Sequence, residues 1–179
     1  MKVLFTCLFL TYFSVNSLLA KDSLSLYLFL LDDCPICIQY TPTINELHEA
    51  YGDQIEFIGY FPNFSSKKDK IAKFKNDFKL QFPLYTDYFK VQSRKFNAEV
   101  TPEVVLFNHT SEKVIYQGRI DNMFQKLGRK RKVITEFDLK NAIESTLNNR
   151  KVEKQYSKPV GCYINYSDNL DSKNQPDKN

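Results

Sequence analysis

The chain has 179 residues, of which 42% are apolar and 26% charged, which is enough hydrophobic material for one compact domain. Its formal net charge of +4 is small and spread along the chain, whereas nucleic-acid binding usually needs a concentrated basic face. Composition therefore predicts a single domain and argues against a nucleic-acid partner.

The first twenty residues have the pattern of a secretory signal peptide. Lys2 gives a positive start, an apolar stretch rich in Phe and Leu begins at Val3, and small residues follow around Ser17 to Ala20. Polar residues interrupt the apolar stretch, so it is a poor bilayer span and we expect removal rather than retention as an anchor. Residues 1–20, with Cys7, are thus predicted to be a signal peptide, and the protein to be exported to the periplasm or cell envelope.

The next segment predicts a strand, a helix and a second strand. Leu24 to Leu31 is an apolar run of the length expected for a strand buried on both faces. From Ile36 to Tyr51 apolar residues recur every three or four positions, as on one face of a helix, and Gly52 closes it. Ile55 to Phe61 is a second strand, which completes a βαβ unit.

The second half of the sequence predicts a mixture of helices and strands, followed by a polar tail. The mature domain is expected to span residues 21–166, with a disordered tail over residues 167–179. The basic run Lys126 to Lys132 is interpreted as a solvated loop. The remaining predicted elements are helices at Lys67–Phe78, Tyr88–Phe96 and Glu136–Leu147, and strands at Phe82–Tyr85, Val104–Phe107 and Val114–Gln117.

A pair of cysteines separated by two residues lies where the first strand meets the helix. Cys34 is predicted to lie near the unsatisfied N–H groups and positive dipole of the helix start, which favour thiolate. Pro35 suits the first helical position, and Cys37 lies one turn further. This spacing supports attack by Cys34 on a partner disulfide and release by Cys37.

Other interpretations of the cysteines remain open. A zinc site would need two more ligands at matching spacing, and no second cysteine pair is present. A permanent Cys34–Cys37 disulfide would close so small a loop that it adds little stability. Cys162 could be a third exchange thiol, a link to a partner, or a semi-buried small residue.

These features together resemble the thioredoxin-like superfamily, and within it the exported redoxins of the TlpA/ResA and AhpC/TSA-like group. The dithiol follows the first strand, Pro42 lies five residues beyond Cys37, and Val100-Thr101-Pro102 precedes a strand. The resemblance implies an α/β fold with a central mixed sheet flanked by helices, and a helical insertion over Ser65 to Phe96.

The resemblance also implies roles for residues near the dithiol. It implies a cis Thr101–Pro102 bond beside the cysteines, with the Thr101 backbone free to pair with an extended substrate segment. Glu103 is either a surface residue or a proton shuttle to Cys37. The family usually has Trp before the first cysteine, whereas this chain has Asp32-Asp33, and two carboxylates there would oppose thiolate formation.

The favoured hypothesis is an exported thiol–disulfide oxidoreductase that uses the Cys34/Cys37 dithiol, without a cofactor or metal. Its substrates would be disulfides of other exported proteins, and a membrane partner would donate electrons. One alternative is a copper-binding or assembly module in which Cys34 and Cys37, with or without His109, hold Cu(I). Another is a redox-inert binding domain on the same fold. Peroxidase activity is disfavoured, because Leu31 stands where peroxiredoxins have Thr.

Overall fold

The computed structural model describes residues 23–167. The predicted signal peptide, and the predicted tail from residue 168 onward, lie outside the described residues. Within residues 23–167 no helix has both the length and the hydropathy needed to cross a membrane. The domain boundaries stay a prediction.

A six-stranded mixed sheet forms the centre of the fold, with β1 between a parallel and an antiparallel neighbour. In spatial order the strands are β3 (Leu84–Thr86), β2 (Glu56–Phe61), β1 (Leu24–Phe29), β5 (Glu103–Asn108), β6 (Lys113–Gly118) and β9 (Tyr156–Ser157).

Within residues 23–167, two further strand pairs lie outside this sheet, and four helices accompany the strands. The pairs are β4 (Val100–Thr101) with β10 (Cys162–Tyr163), and β7 (Phe124–Lys126) with β8 (Arg129–Lys130). The helices are α1 (Pro35–Tyr51), α2 (Lys68–Asp77), α3 (Val91–Lys95) and α4 (Asp138–Leu147).

Strand β1 is buried along its whole length, as its apolar run predicts. Because side chains alternate across a strand, Leu26 and Leu28 enter a main core shared with α1 and α4. Tyr27 and Phe29 point to the other face. There they enter a second apolar cluster, whose buried members are Tyr27, Phe29, Phe96, Ala98, Val105 and Ile164.

Helix α1 carries the dithiol and begins as its sequence predicts. Cys34 is the N-cap with extended backbone angles, and Pro35 is at the first helical position. Pro42 lies inside the helix and has no N–H to donate, so the carbonyl of Ile38 lacks its usual partner. The Thr41 hydroxyl donates to that carbonyl at 2.8 Å, which compensates locally for the proline.

The predicted helical insertion is present, and several short strands were not predicted. Residues 65–96 contain α2 and α3, together with β3, which adds to the edge of the sheet. The basic run at 126–132 is largely exposed as expected, but it forms part of the β7–β8 hairpin rather than an irregular loop. Strands β4, β9 and β10 have two residues each and were missed.

Candidate redox site

The dithiol lies at the start of α1, directly after the end of β1 and a short turn. Cys34 is 1% exposed and Cys37 is 0% exposed, and both are free thiols. The Cys34 N–H donates to the Leu31 carbonyl at 3.3 Å, which closes the turn before the helix. A reactive sulfur at this position must therefore be uncovered before an external molecule can reach it.

The surroundings of Cys34 stabilise its thiolate. The pKa of Cys34 is lowered to about 5, first because the Cys37 thiol donates a hydrogen bond to it. Burial opposes this shift, while a hydrogen bond from Cys162 and the backbone N–H groups of Cys37 and Ile36 support it. Burial and the adjacent Cys34 sulfur raise the pKa of Cys37 well above its usual range. The thiolate is thus favoured at Cys34 and the protonated thiol at Cys37.

The two aspartates before the dithiol do not prevent stabilisation of the Cys34 thiolate. Asp32 accepts a hydrogen bond from the hydroxyl of Ser66. Asp33 is exposed, and its negative charge is among the causes that raise the pKa of Cys162. The helix start and the neighbouring thiols therefore outweigh the carboxylates at Cys34.

The predicted proline segment lies beside the dithiol. The Thr101–Pro102 bond is cis, as the family resemblance implies. The Cys34 sulfur is 3.4 Å from the Thr101 carbonyl oxygen, and Thr101 itself is fully buried. Four of the five predicted site residues are therefore brought together: Cys34, Cys37, Thr101 and Pro102.

The fifth, Glu103, is not a surface residue, and its hydrogen bonds are to groups other than the cysteines. Its side chain is 2% exposed, and its carboxylate accepts hydrogen bonds from the Glu99 and Val100 N–H groups at 2.9 and 3.4 Å and from the Gln117 amide at 2.7 Å. Val104, the next residue in β5, shares the main core with Cys37. Glu103 therefore points to the opposite face of the sheet, where it holds the backbone that precedes the cis bond.

Cys162 is the residue whose place the sequence left open. Strand β10 pairs antiparallel with β4, and Cys162 lies directly opposite Thr101. The sulfurs of Cys34 and Cys162 are 2.6 Å apart. Burial, followed by the hydrogen bond to Cys34, raises the pKa of Cys162 to about 12. The dithiol is thus part of a cluster of three thiols.

The residues that bring Cys162 to this place were not predicted as functional. We call residues 156–166 the Cys162 segment. A Cβ on Gly161 would lie 2.1 Å from the Thr101 carbonyl oxygen, so only glycine allows this backbone approach. The apolar run Val160 to Ile164, with glycine directly before cysteine, was the available signal.

His109 is not near the cysteines, so the predicted participation of His109 in a copper site with Cys34 and Cys37 is wrong. Its N–H bonds to Ser23, at the opposite end of β1 from the dithiol. Its ring nitrogen lies 2.9 Å from the Ser25 hydroxyl, and the same nitrogen lies 3.3 Å from that of Tyr27, on the face away from Cys37. Over residues 23–167, no group of three or more His, Cys, Asp or Glu side chains is placed to hold a metal ion.

The fold is shared with known structures, although sequence comparisons find nothing. No family model matches the sequence, and no curated protein matches it. A hypothetical protein from Sinorhizobium meliloti superposes with a TM-score of 0.71 at 18% identity, over 83% of this chain and 82% of the other. An uncharacterised conserved protein from Geobacillus kaustophilus gives 0.71 at 22% identity, over 83% and 80%.

A third similar structure is named after thiol–disulfide exchange. A protein from Chlorobium tepidum, provisionally named a thiol:disulfide interchange protein DsbE, gives a TM-score of 0.51 at 18% identity, over 72% of this chain and 80% of the other. Together with the strand order and the cis proline beside the dithiol, these likenesses establish the thioredoxin-like fold predicted from the sequence.

Proposed function

We propose that this chain is an exported thiol–disulfide oxidoreductase that exchanges disulfides with other envelope proteins through Cys34 and Cys37. The observation that carries the proposal is the pairing of a thiolate-stabilised Cys34 with a protonated, fully buried Cys37 at the start of α1. Low-pKa thiols at helix N-termini are typical of exchange sites, and exchange with another protein here requires that the buried Cys34 sulfur be uncovered.

The reaction would proceed in two exchanges. The Cys34 thiolate attacks one sulfur of a substrate disulfide, forming a mixed disulfide and releasing the other substrate sulfur as a thiolate. That thiolate takes a proton, and Cys37 loses one. The Cys37 sulfur then attacks Cys34, which releases the reduced substrate and leaves a Cys34–Cys37 disulfide. A dithiol donor, proposed to be membrane-bound, would return two electrons to restore the reduced protein.

The pKa of Cys34 bears on the direction in which electrons pass between the dithiol and its substrates. A stabilised thiolate favours the reduced form and makes the corresponding disulfide more oxidising, which is the reason that strong oxidants of this fold have low nucleophile pKa values. The pKa of Cys34, about 5, lies below the value of about 7 that is typical of thioredoxin. We therefore expect a Cys34/Cys37 reduction potential less negative than about −270 mV, measured against glutathione.

Reduction of insulin with dithiothreitol as electron donor tests the activity. The wild-type chain without residues 1–20 should accelerate insulin precipitation, and Cys34→Ser should abolish the acceleration. Cys37→Ser combined with Cys162→Ser should accumulate the mixed disulfide, because no internal thiol is left for the second exchange. Gln39→Ala, an exposed change on the same helix, is the matched control and should behave as wild type. Equal activity in Cys34→Ser would refute the proposal.

A further inference from the structure

We propose that Cys162 is a third redox-active thiol, which forms a reversible disulfide with Cys34 while the Cys162 segment occupies the Thr101 edge as a substrate built into the chain. The inference rests on the proposed function, since it needs Cys34 to be an exchanging nucleophile. It goes beyond that function by adding a residue and a reaction internal to the protein.

Proximity is the first support. The sulfurs of Cys34 and Cys162 are 2.6 Å apart, and both cysteines are free. The S–S bond of a disulfide is about 2.05 Å long, so only a small shift separates the two thiols from bonding distance. Cys34 is almost completely buried although its neighbour Asp33 is exposed. The Cys162 sulfur is thus the one that contacts Cys34 in the folded chain.

The backbone geometry is the second support. Adding a strand to an exposed edge is a common way to bind an extended peptide, because main-chain hydrogen bonds give affinity without demanding a sequence. Strand β10 does this within the chain: it pairs antiparallel with β4, and the Thr101 hydroxyl donates to the Cys162 carbonyl at 3.3 Å. The edge that the family resemblance assigns to a substrate is thus occupied by the chain's own cysteine.

Anchors on both sides of Cys162 hold it there. Before it, β9 pairs with β6, and the Ser157 hydroxyl lies 2.5 Å from that of Tyr116. After it, the Ile164 N–H donates to Glu99 at 2.9 Å, and the Ile164 side chain is buried in the second apolar cluster. The chain is therefore attached to the rest of the domain on both sides of Cys162, and the fold itself holds the Cys162 sulfur against that of Cys34.

The chemistry balances with a disulfide such as oxidised glutathione as the oxidant. The Cys34 thiolate attacks oxidised glutathione and releases one glutathione thiolate. Cys162 gives its proton to a glutathione thiolate and attacks the Cys34 sulfur, which releases the second glutathione and forms Cys34–Cys162. Two electrons pass from the protein to glutathione. Cys37 can then attack Cys34, releasing Cys162, which takes the proton that Cys37 loses; this step involves no net oxidation.

The test uses the chain without residues 1–20, carrying Cys37→Ser so that Cys34 has one internal partner left. After treatment with oxidised glutathione, we expect the intact protein to lose two hydrogens and to carry no glutathione. Peptide mapping should find Cys34 joined to Cys162 in a monomer. The matched variant with both Cys37→Ser and Cys162→Ser should retain one glutathione on Cys34.

The outcomes separate the two proposals. A stable glutathione adduct on Cys37→Ser would overturn the role of Cys162 while leaving Cys34 as an exchanging thiol. No reaction at Cys34 in any variant would overturn both the role of Cys162 and the proposed function. A disulfide between two molecules would also overturn the internal reaction.

A second variant tests the role of the backbone pairing while keeping both reacting sulfurs, those of Cys34 and Cys162. In the Cys37→Ser background, Gly161→Ala should push the Cys162 segment away from Thr101 and slow formation of the Cys34–Cys162 disulfide by about tenfold or more. Lys158→Ala, an exposed change in the same segment, should leave the rate unchanged. An unchanged rate in Gly161→Ala would show that the observed pairing does not bring the sulfurs together.

Discussion

Cys34, the proposed nucleophile, is the residue whose environment matters most. Because the pKa of Cys34 is lowered to about 5, the thiolate is present above that pH and is lost as the pH falls through it. Alkylation of Cys34 by iodoacetamide, followed by peptide mapping, should therefore reach half its maximal rate near pH 5. A midpoint near the ordinary cysteine value of about 8.5 would contradict the proposed stabilisation.

Cys162 contributes a hydrogen bond to that thiolate, which a conservative pair of variants can isolate. Cys162→Ala removes the donor and should move the alkylation midpoint of Cys34 to higher pH. Cys162→Ser retains an O–H donor and should remain closer to wild type. Equal shifts in the two variants would attribute the effect to packing rather than to the hydrogen bond.

Glu103 is a structural residue on the evidence of its contacts. Glu103→Ala leaves the Glu99 and Val100 N–H groups without their acceptor and should lower the free energy of unfolding by about 1–3 kcal/mol in urea denaturation. Glu49→Ala, an exposed change on α1, should cost less than about 0.5 kcal/mol. A specific loss of insulin reduction in folded Glu103→Ala would instead restore the proton-shuttle hypothesis.

At this scale, sequence patterns predicted the residues that belong to short local motifs. Cys34 and Cys37 follow from spacing, and Thr101 and Pro102 from the family resemblance. Cys162 and Glu103 depend on which strand face or edge they occupy, which is set by residues distant in sequence. A buried glutamate looks like a surface glutamate until its three donors are placed around it.

Among the elements, the junction of β6 with β9 fixes where the Cys162 segment begins. Gly118 has φ of +137°, and a Cβ there would lie 1.8 Å from the Ser157 carbonyl oxygen. Gly118→Ala should therefore detach β9, seen as faster amide hydrogen exchange at Arg119, whose N–H donates to the Ser157 carbonyl.

Gly128 provides the matched control for that variant. It also has positive φ, at +72°, but nothing lies within 4 Å of a Cβ built on it. Gly128→Ala should thus show the backbone strain alone, without the change in exchange at Arg119. If both variants behave alike, steric contact with Ser157 is not what excludes a side chain at Gly118.

The longer elements could be predicted because their apolar residues form a readable pattern. Helix α1 and strand β1 were found to within a residue or two, since α1 has a helical apolar period over seventeen residues and the six residues of β1 belong to a continuous apolar run. Strands of two residues carry no period at all. Strands β4, β9 and β10 exist because a partner edge lies opposite them, so tertiary contacts decide them.

At the scale of the whole molecule, an ion-pair network ties the end of β6 and α4 to the chain that leads into the Cys162 segment. Arg119 contacts Asp138 at 2.7 Å and Glu136 at 2.6 Å, and Lys154 contacts the same two carboxylates at 2.6 and 2.9 Å. The Asp138 side chain is only 3% exposed. Its charge therefore needs these cations.

Arg119→Ala should lower the free energy of unfolding by about 2 kcal/mol. A buried charge that loses all its partners is expected to cost about 3–5 kcal/mol. The cost here is smaller, because Lys154 still contacts Asp138. Thermal or urea unfolding measures the change. Lys73→Ala, which breaks an exposed pair with Asp77, should change stability by no more than about 0.5 kcal/mol, and a comparable loss there would contradict the assigned role of burial.

The pairing of the Cys162 segment with Thr101 also affects how tightly an outside peptide can bind. A peptide that uses the same edge binds only those molecules in which the segment has moved away, so its apparent dissociation constant is the intrinsic constant divided by the open fraction. If about one molecule in a hundred is open, binding weakens about a hundredfold. Every peptide that uses this edge is weakened by the same factor, so the segment raises the concentration needed for binding and leaves the ratio of affinities between two peptides unchanged.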